Sequence, residues 1–261
     1  MTQAPRIGFN LRVVRATRLI PDRLFRAGDV TAISAAGAAE LTDRRGVRAV
    51  LDLRSADEVA RYGSPDTLIA SGVRWMRTPI CDYPRDVGHS PRPTSEQYVR
   101  YYHAILTGSA PQCFPRLFAA VSEVADEPFL VTCHGGKDRT GVVAAVLLDL
   151  VGATDKEIAR DYAAGMADLR AQVDRFRDKW IKHGHTRKDY LVHLETQPVT
   201  MRTWLTEIRR DHGSVRTALN LRGVDHADLN RVAMLLRVGQ AEQVMATTAT
   251  KLLMRRPHDP G

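Results

Sequence analysis

Residues 128–150 read PFLVTCHGGKDRTGVVAAVLLDL. PFLVT is a short apolar run of the length of a buried strand, and GVVAAVLLDLV is long enough for a buried helix, with Gly152 as its stop. Between them stand a cysteine, two glycines and the charged run Lys137, Asp138, Arg139. Strand, tight loop and helix in that order form a unit of an α/β sheet.

The chain on either side agrees. Upstream, an irregular arm leads to RLFRAGD, a short strand, and TAISAAGAAELTDRRG, a helix closed by Gly46. Val47 to Leu53 reads as a buried strand ending in a polar turn at Asp52 to Ser55. A short helix over Ala56 to Tyr62 and a strand over Val73 to Thr78 complete a β-α-β rhythm. CDYPRDVGHSPRP is loop; SEQYVRYYHAIL, opened by a Thr94/Gln97 capping box, and CFPRLFAAVSEVA are helices.

Downstream of Thr154 the pattern is almost wholly helical. DKEIARDYAAG opens on a Thr154/Glu157 capping box, and MADLRAQVDRFRDKWIKHG, VTMRTWLTEIRRDHG and HADLNRVAMLLRVG carry apolar residues at helical spacing with glycine exits. The expectation is an α/β fold with a central, mostly parallel sheet flanked by helices, and a helical elaboration in the C-terminal half. No repeat or linker divides it, so residues 1–261 form one domain, with helices over 198–252 packed on its core.

The bulk numbers fit: 261 residues suffice for one large core, and 44% hydrophobic and 26% charged residues are ordinary for a globular chain. Cys81, Cys113 and Cys133 have neither metal-like spacing nor an even number, which points to a reducing, cytoplasmic setting, with secretion by a non-standard route left open. The start lacks an apolar export region, and the longest apolar run is interrupted by Asp149 and too short to span a bilayer. A net charge of +8 implies anionic company: nucleic acid, an anionic lipid surface or a phosphorylated substrate. The basic residues are dispersed and no nucleic-acid motif accompanies them, which disfavours nucleic acid. His183, His185 and His193 lack metal-ligand spacing, so His183 to His185 reads as an exposed turn, and neither metal nor cofactor is expected.

In the quoted stretch, the two glycines let successive N–H groups point inward as an anion nest, and the following helix adds its positive end. Arg139, six positions after Cys133, can return across the loop and grip two phosphate oxygens with its planar fork. In that field a thiol loses its proton more easily, making Cys133 a nucleophile for in-line attack on phosphorus through a cysteinyl-phosphate that water then hydrolyses. The plainer readings are a core cysteine before a turn, or a nucleotide-binding loop; the P-loop NTPase pattern fails because Asp138, not Ser or Thr, follows Lys137.

TCHGGKDRTG resembles the signature of the cysteine-dependent protein tyrosine phosphatase superfamily: Cys, five residues, Arg, then Ser or Thr. Its Gly-Lys-Asp-Arg-Thr-Gly form is similar to that of a bacterial tyrosine and lipid phosphatase family. RLFRAGD, GVRAVLDLRSADEVARYG and LTEIRRDHGSVRTALNLRGVDHADLNRVAMLL extend the resemblance over most of the chain. It implies that Cys133 is the nucleophile, Arg139 the phosphate clamp and Thr140 a hydroxyl that assists departure of the thiolate. His134, Gly135, Gly136, Lys137 and Gly141 would form the substrate-binding loop, with Lys137 adding charge for strongly anionic substrates. Asp138 is a candidate general acid, or merely an ion-pair partner of Lys137 or an arginine. Asp82 and its neighbour Asp86, on a proline-containing loop, are rivals. Asp52 and Arg54 would support the loop or serve only as turn residues.

Two features depart from or extend that pattern. Thr132 stands where the family has a loop-holding histidine, and His134 places an imidazole that either contacts substrate or fills space. Residues 166–197 occupy the place of a helical lid whose Arg170, Arg175 and Arg177 could meet the substrate. The implied activity is hydrolysis of phosphate monoesters on phosphotyrosine protein or phosphoinositide; alternatives are a small-molecule phosphatase and a non-catalytic phosphate-binding module.

Overall fold

In the computed structural model, which describes residues 8–81, 83 and 90–239, the sheet has five strands. They are β1 (Arg12–Val13), β2 (Leu24–Ala27), β3 (Ala49–Asp52), β4 (Arg74–Arg77) and β5 (Phe129–Thr132), in spatial order β1-β2-β5-β3-β4. β1 is antiparallel to β2 and every other pairing is parallel.

The alternation of side chains along β3 and β5 divides the core. Ala49, Leu51, Phe129 and Val131 face the larger hydrophobic cluster, whereas Val50 and Leu130 face the smaller one with Phe25, Leu41 and Leu68. The smaller face is covered by α1 (Ala35–Ala39), the π-helical turn Glu40–Arg44 that continues it, and α3 (Asp66–Ala70). The intervening α2 (Ala56–Tyr62) has no fully buried residue; it contributes to the site instead. α3 is absent from the expectations above, being too short to carry a periodic signal.

The larger face is covered by α4 (Ser95–Thr107), α5 (Cys113–Val124) and α6 (Asp138–Val151), with α7 (Asp155–Ala163) following. Nearly every residue of α6 is buried, as the all-round apolar sequence requires, and it stops at Gly152, whose φ of 82° suits glycine. Both predicted capping boxes, Thr94 with Gln97 and Thr154 with Glu157, are formed.

The expectation of one helix over MADLRAQVDRFRDKWIKHG needs correction. The segment breaks into α8 (Met166–Ala171), a 3-10 turn (Val173–Phe176) and α9 (Arg177–Lys182), and is followed by α10 (Arg187–His193), capped by Thr186 and Asp189. The 3-10 turn eclipses Val173 with Phe176, so both are buried in a small separate cluster with Leu169, Trp180, Leu194 and Phe9 from the N-terminal arm. Then α11 (Pro198–His212), α12 (Val215–Leu221) and α13 (His226–Leu236) return to the main core, where Trp204, Leu219 and Leu229 are fully buried.

The register sets the site. Ala27, Thr132 and Asp52 are cross-strand partners at the carboxyl ends of three adjacent parallel strands. The loops leaving those ends therefore converge, in the position where α/β sheets build their sites.

Candidate functional site

The loop after β5 is held from behind. Gly136 has φ 64°, and a Cβ there would lie 2.4 Å from the carbonyl carbon and oxygen of Ala27, so only glycine fits. Its carbonyl accepts hydrogen bonds from Asn10 Nδ2 (3.2 Å) and Arg26 Nη2 (2.9 Å), and the Gly135 carbonyl accepts from Asn10 Nδ2 at 3.1 Å. Arg26 is buried and paired with Asp161; Arg12 fixes Asn10 through a 2.6 Å bond to its Oδ1. With the carbonyls bound on the outer side, the Gly136 amide turns inward and donates to Cys133 Sγ at 3.2 Å. Helix α6 begins at Asp138, three residues before the apolar run that starts at Gly141, so its N-terminus opens directly from the loop. Asn10 and Asp161 were not singled out from sequence, and Arg26 appeared only within RLFRAGD; a cation inside a strand whose neighbours are buried was the available signal.

Arg139 is gripped by a residue that sequence reasoning passed over. Its Nη1 and Nη2 donate to the two carboxylate oxygens of Glu58 at 2.6 and 2.7 Å, and Nη1 also reaches the Leu53 carbonyl at 3.1 Å. Glu58 simultaneously caps α2 in a box with Ser55, visible in sequence as Ser-x-x-Glu. Burial opposes ionisation of Glu58, but the hydrogen bonds and charge of Arg139 outweigh it and hold the carboxyl well below the ordinary range. Burial likewise opposes the charge on Arg139, and the Glu58 pair more than restores it.

Asp138 and Lys137 are within ion-pair distance, 3.4 Å. Asp138 Oδ1 also accepts a 2.8 Å hydrogen bond from Tyr102 Oη, and its side chain retains 31% exposure and lines the cavity. Lys137 is buried, its Nζ 3.8 Å above the Tyr98 ring and donating to the carbonyl of His193 at the end of α10. Burial lowers its basicity, opposed by Asp138. Its ammonium is thus engaged with the covering helices as well as facing the cavity, a tether the sequence did not suggest.

These groups line a cavity of 640 Å³. Cys133, Gly135, Lys137, Asp138 and Arg139 form its floor, and Tyr62, Tyr83, Tyr101, Phe176 and Tyr190 give it aromatic walls. Lys179 of α9 also lines it; burial and the charge of Arg139 push its pKa down to about 8. The covering segment thus presents Lys179 and Lys182 to the cavity. Arg175 lies 4.9 Å from the Phe9 ring and lines a second, smaller cavity, and Arg170 bonds Leu191 and Glu195. Arg177 is exposed and lines neither.

His134 does not line the main cavity. Its ring lies 4.5 Å from that of Tyr62 and 5.6 Å from that of Phe176 beside the smaller cavity, and burial and Lys179 push its pKa down to about 3, so it packs as a neutral ring. Gly141 lies against Tyr162 and Arg26, where its lack of a side chain permits close packing. Thr140 is fully buried, and its hydroxyl has no partner among the described residues. Thr132 Oγ1 bonds the Gly28 carbonyl, tying the base of the loop to the end of β2.

Asp52 and Arg54 are buried and paired at 2.7 Å, with Trp75 Nε1 on Asp52 (3.1 Å) and Asp29 on Arg54 (3.4 Å). They brace the Leu53 turn that meets Arg139 and do not line the cavity. Asp82 and Asp86 lie outside the described residues. His183 is exposed and lines the cavity, as does the buried His193 of α10, on which His185 stacks at 5.3 Å. Among the described residues no group of His, Cys, Asp and Glu could hold a metal ion, and no helix is long and apolar enough to cross a membrane.

The chain is 34% identical over 164 residues to a tyrosine-protein phosphatase of Nostoc commune, covering 60% of this chain and 53% of that protein, so it spans about half of that relative's length. It is 30% identical over 190 residues to the triple specificity protein phosphatase PtpB of Mycobacterium tuberculosis, covering 60% of this chain and 67% of that one. Among solved structures it is similar to P. aeruginosa TpbA, at 18% identity and a TM-score of 0.35, over 74% of this chain and 94% of that one. A model of the tyrosine phosphatase family matches residues 10–237, and the chain belongs to that family.

Proposed function

We propose that the protein hydrolyses phosphate monoesters through Cys133, with phosphotyrosine in protein as its leading substrate. The observation that carries this reading is the arrangement around one point: Cys133 Sγ receives the Gly136 amide at 3.2 Å, and Arg139 is held at the same cavity floor by Glu58. A phosphoryl group seated there meets the inward Gly136 amide, the start of α6 and the Arg139 fork, which stabilise the equatorial oxygens of the transition state.

The sulfur attacks phosphorus as the P–O bond to the leaving group breaks; Asp138 gives its proton to the departing oxygen and an S-phosphocysteine remains. Asp138, now a carboxylate, takes a proton from water as the water oxygen attacks phosphorus and the S–P bond breaks, releasing inorganic phosphate. The buried Thr140 hydroxyl, without a protein partner among the described residues, is the donor assigned to the departing thiolate. Residues 166–197 act as a cover that excludes water, and Lys179 adds a cation.

The aromatic walls favour a phosphorylated ring over a sugar phosphate. The test is phosphate release, with chelator present, from phosphotyrosine, phosphoserine and phosphothreonine peptides, phosphoinositides, and nucleoside and sugar phosphates, each beside Cys133→Ser. Phosphotyrosine leading, and activity vanishing in the variant, is the expected result. A single small metabolite leading, phosphoinositide leading, or binding without turnover would each replace this assignment.

A further inference from the structure

Asp138 is met by two donors on the same oxygen. Tyr102 Oη lies 2.8 Å and Lys137 Nζ 3.4 Å from Oδ1. A carboxyl oxygen accepting from a phenol and an ammonium is the oxygen that stays unprotonated, so in the acid form the proton sits on Oδ2. Tyr102 has a single hydroxyl hydrogen, and that hydrogen goes to Asp138. In its 2.6 Å contact with Tyr162 it must therefore accept, and Tyr162 donates. The result is a directed relay of hydrogen bonds from Tyr162 Oη to Tyr102 Oη to Asp138 Oδ1, drawn from α7, α4 and α6.

We propose that Tyr102, backed by Tyr162, is a positioning residue that selects which oxygen of Asp138 hands the proton to the leaving group and holds it in place. This rests on the reading of Asp138 as the general acid. Both phenols are buried, and burial together with the charge of Asp138 raises them above the ordinary range, so they remain neutral donors through the working pH. When the P–O bond breaks, the Oδ2 proton goes to the leaving oxygen, and the new carboxylate is stabilised at Oδ1 by the Tyr102 hydroxyl already aimed at it. Packing alone does not call for either hydroxyl: the two rings, 5.8 Å apart at a steep angle of 77°, would meet equally well as phenylalanines.

The experiment measures kcat/KM for a series of aryl phosphates, from 4-nitrophenyl to unsubstituted phenyl, in the wild type, Asp138→Asn, Tyr102→Phe, Tyr162→Phe and the Asp138→Asn/Tyr102→Phe double variant. A missing proton donor matters most when the leaving group is poor. Tyr102→Phe is expected to lower phenyl phosphate turnover about tenfold while changing 4-nitrophenyl phosphate less than about twofold, within the range assigned to acid catalysis. Tyr162→Phe should give a smaller change of the same sign, and the double variant should be no worse than Asp138→Asn alone.

If Asp138→Asn steepens the leaving-group dependence and Tyr102→Phe lowers all substrates equally or none, the positioning role is overturned and the acid stands. If Asp138→Asn leaves the dependence flat, the acid assignment itself falls and the positioning role with it. Should Tyr102→Phe fail to fold by near-ultraviolet circular dichroism, Tyr162→Phe decides: the same-signed leaving-group effect supports the relay, and a wild-type slope overturns it.

Discussion

The loop from Cys133 to Arg139 and the segment 166–197 face each other across one cavity, yet they are built on different terms. Every turn of the loop is tied down: Gly136 fits against Ala27 with no room for a side chain, its carbonyl is bound by Asn10 and Arg26, and Arg139 is locked to Glu58. The covering segment is a succession of short helical pieces on its own small cluster, Leu169, Val173, Phe176, Trp180 and Leu194 against Phe9, joined to the loop through Lys137 at the His193 carbonyl. Ile181, and to a lesser degree Met166, are exposed on it. On the function proposed above, the floor must be preorganised to sub-ångström precision, whereas a cover needs only to hold aromatic and cationic groups near the substrate. Stability should accordingly be concentrated in the loop and its sheet and thin in the cover.

The sharpest way to break this comparison is through the loop. Cys133→Ser should take phosphate release to background while leaving the melting temperature essentially unchanged, because the side chains are nearly isosteric. Gly136→Ala should also remove activity, but with a stability loss of roughly 2–4 kcal/mol, since a Cβ would collide with backbone at a positive φ. Denaturant unfolding separates the two. A Gly136→Ala protein of normal stability would mean that the loop is less constrained than its contacts suggest.

Glu58→Gln should lower kcat/KM by about 100-fold, because Arg139 keeps its charge but loses the carboxylate that aims its fork. The same variant has a stability signature. Glu58 is held low in the folded state, so its contribution is present above the unfolded value of about 4.3 and is lost as pH falls toward the folded one. The variant should show a flatter loss of stability below that pH, measured by urea unfolding between pH 3 and pH 7.

In the cover the effects should be smaller and local. Phe176→Ala should raise KM about tenfold and increase amide exchange across 166–197, with little change in exchange at β3 and β5. Equal loosening of the sheet would contradict the division drawn above. Lys179 should have the mildest effect. With a pKa of about 8 it is charged below that pH and neutral above it, so KM for an aryl phosphate should rise through pH 8. In Lys179→Met, KM should be raised roughly threefold at pH 7 and lack that inflection, in keeping with a partly screened charge.

The legibility of these regions followed the range of their determinants. Cys133, Gly136 and Arg139 were readable because a strand end, a positive φ and a six-residue return are local, and α6 because its burial is written in an uninterrupted apolar run. Lys137 was readable as a cation but not as a tether, since Tyr98 and the His193 carbonyl that receive it are far away in sequence. His134 was ambiguous because the choice between cavity and packing depends on which side of the loop Phe176 and Tyr62 occupy.

By itself, then, the sequence determined the α/β class, the strand-loop-helix carrying Cys133 and the glycine geometry of the loop. Only the tertiary structure decided that Glu58 grips Arg139 while Asp52 and Arg54 pair with each other behind the Leu53 turn, that Tyr102 and Tyr162 stand behind Asp138, and that Lys179 rather than the arginines of 166–197 faces the cavity. The reason is physical: loop conformation and strand burial are set by neighbours in the chain, whereas pairing and proton placement are set by groups brought within about 3 Å of one another across the sheet ends and helices, at distances in sequence that no periodicity encodes.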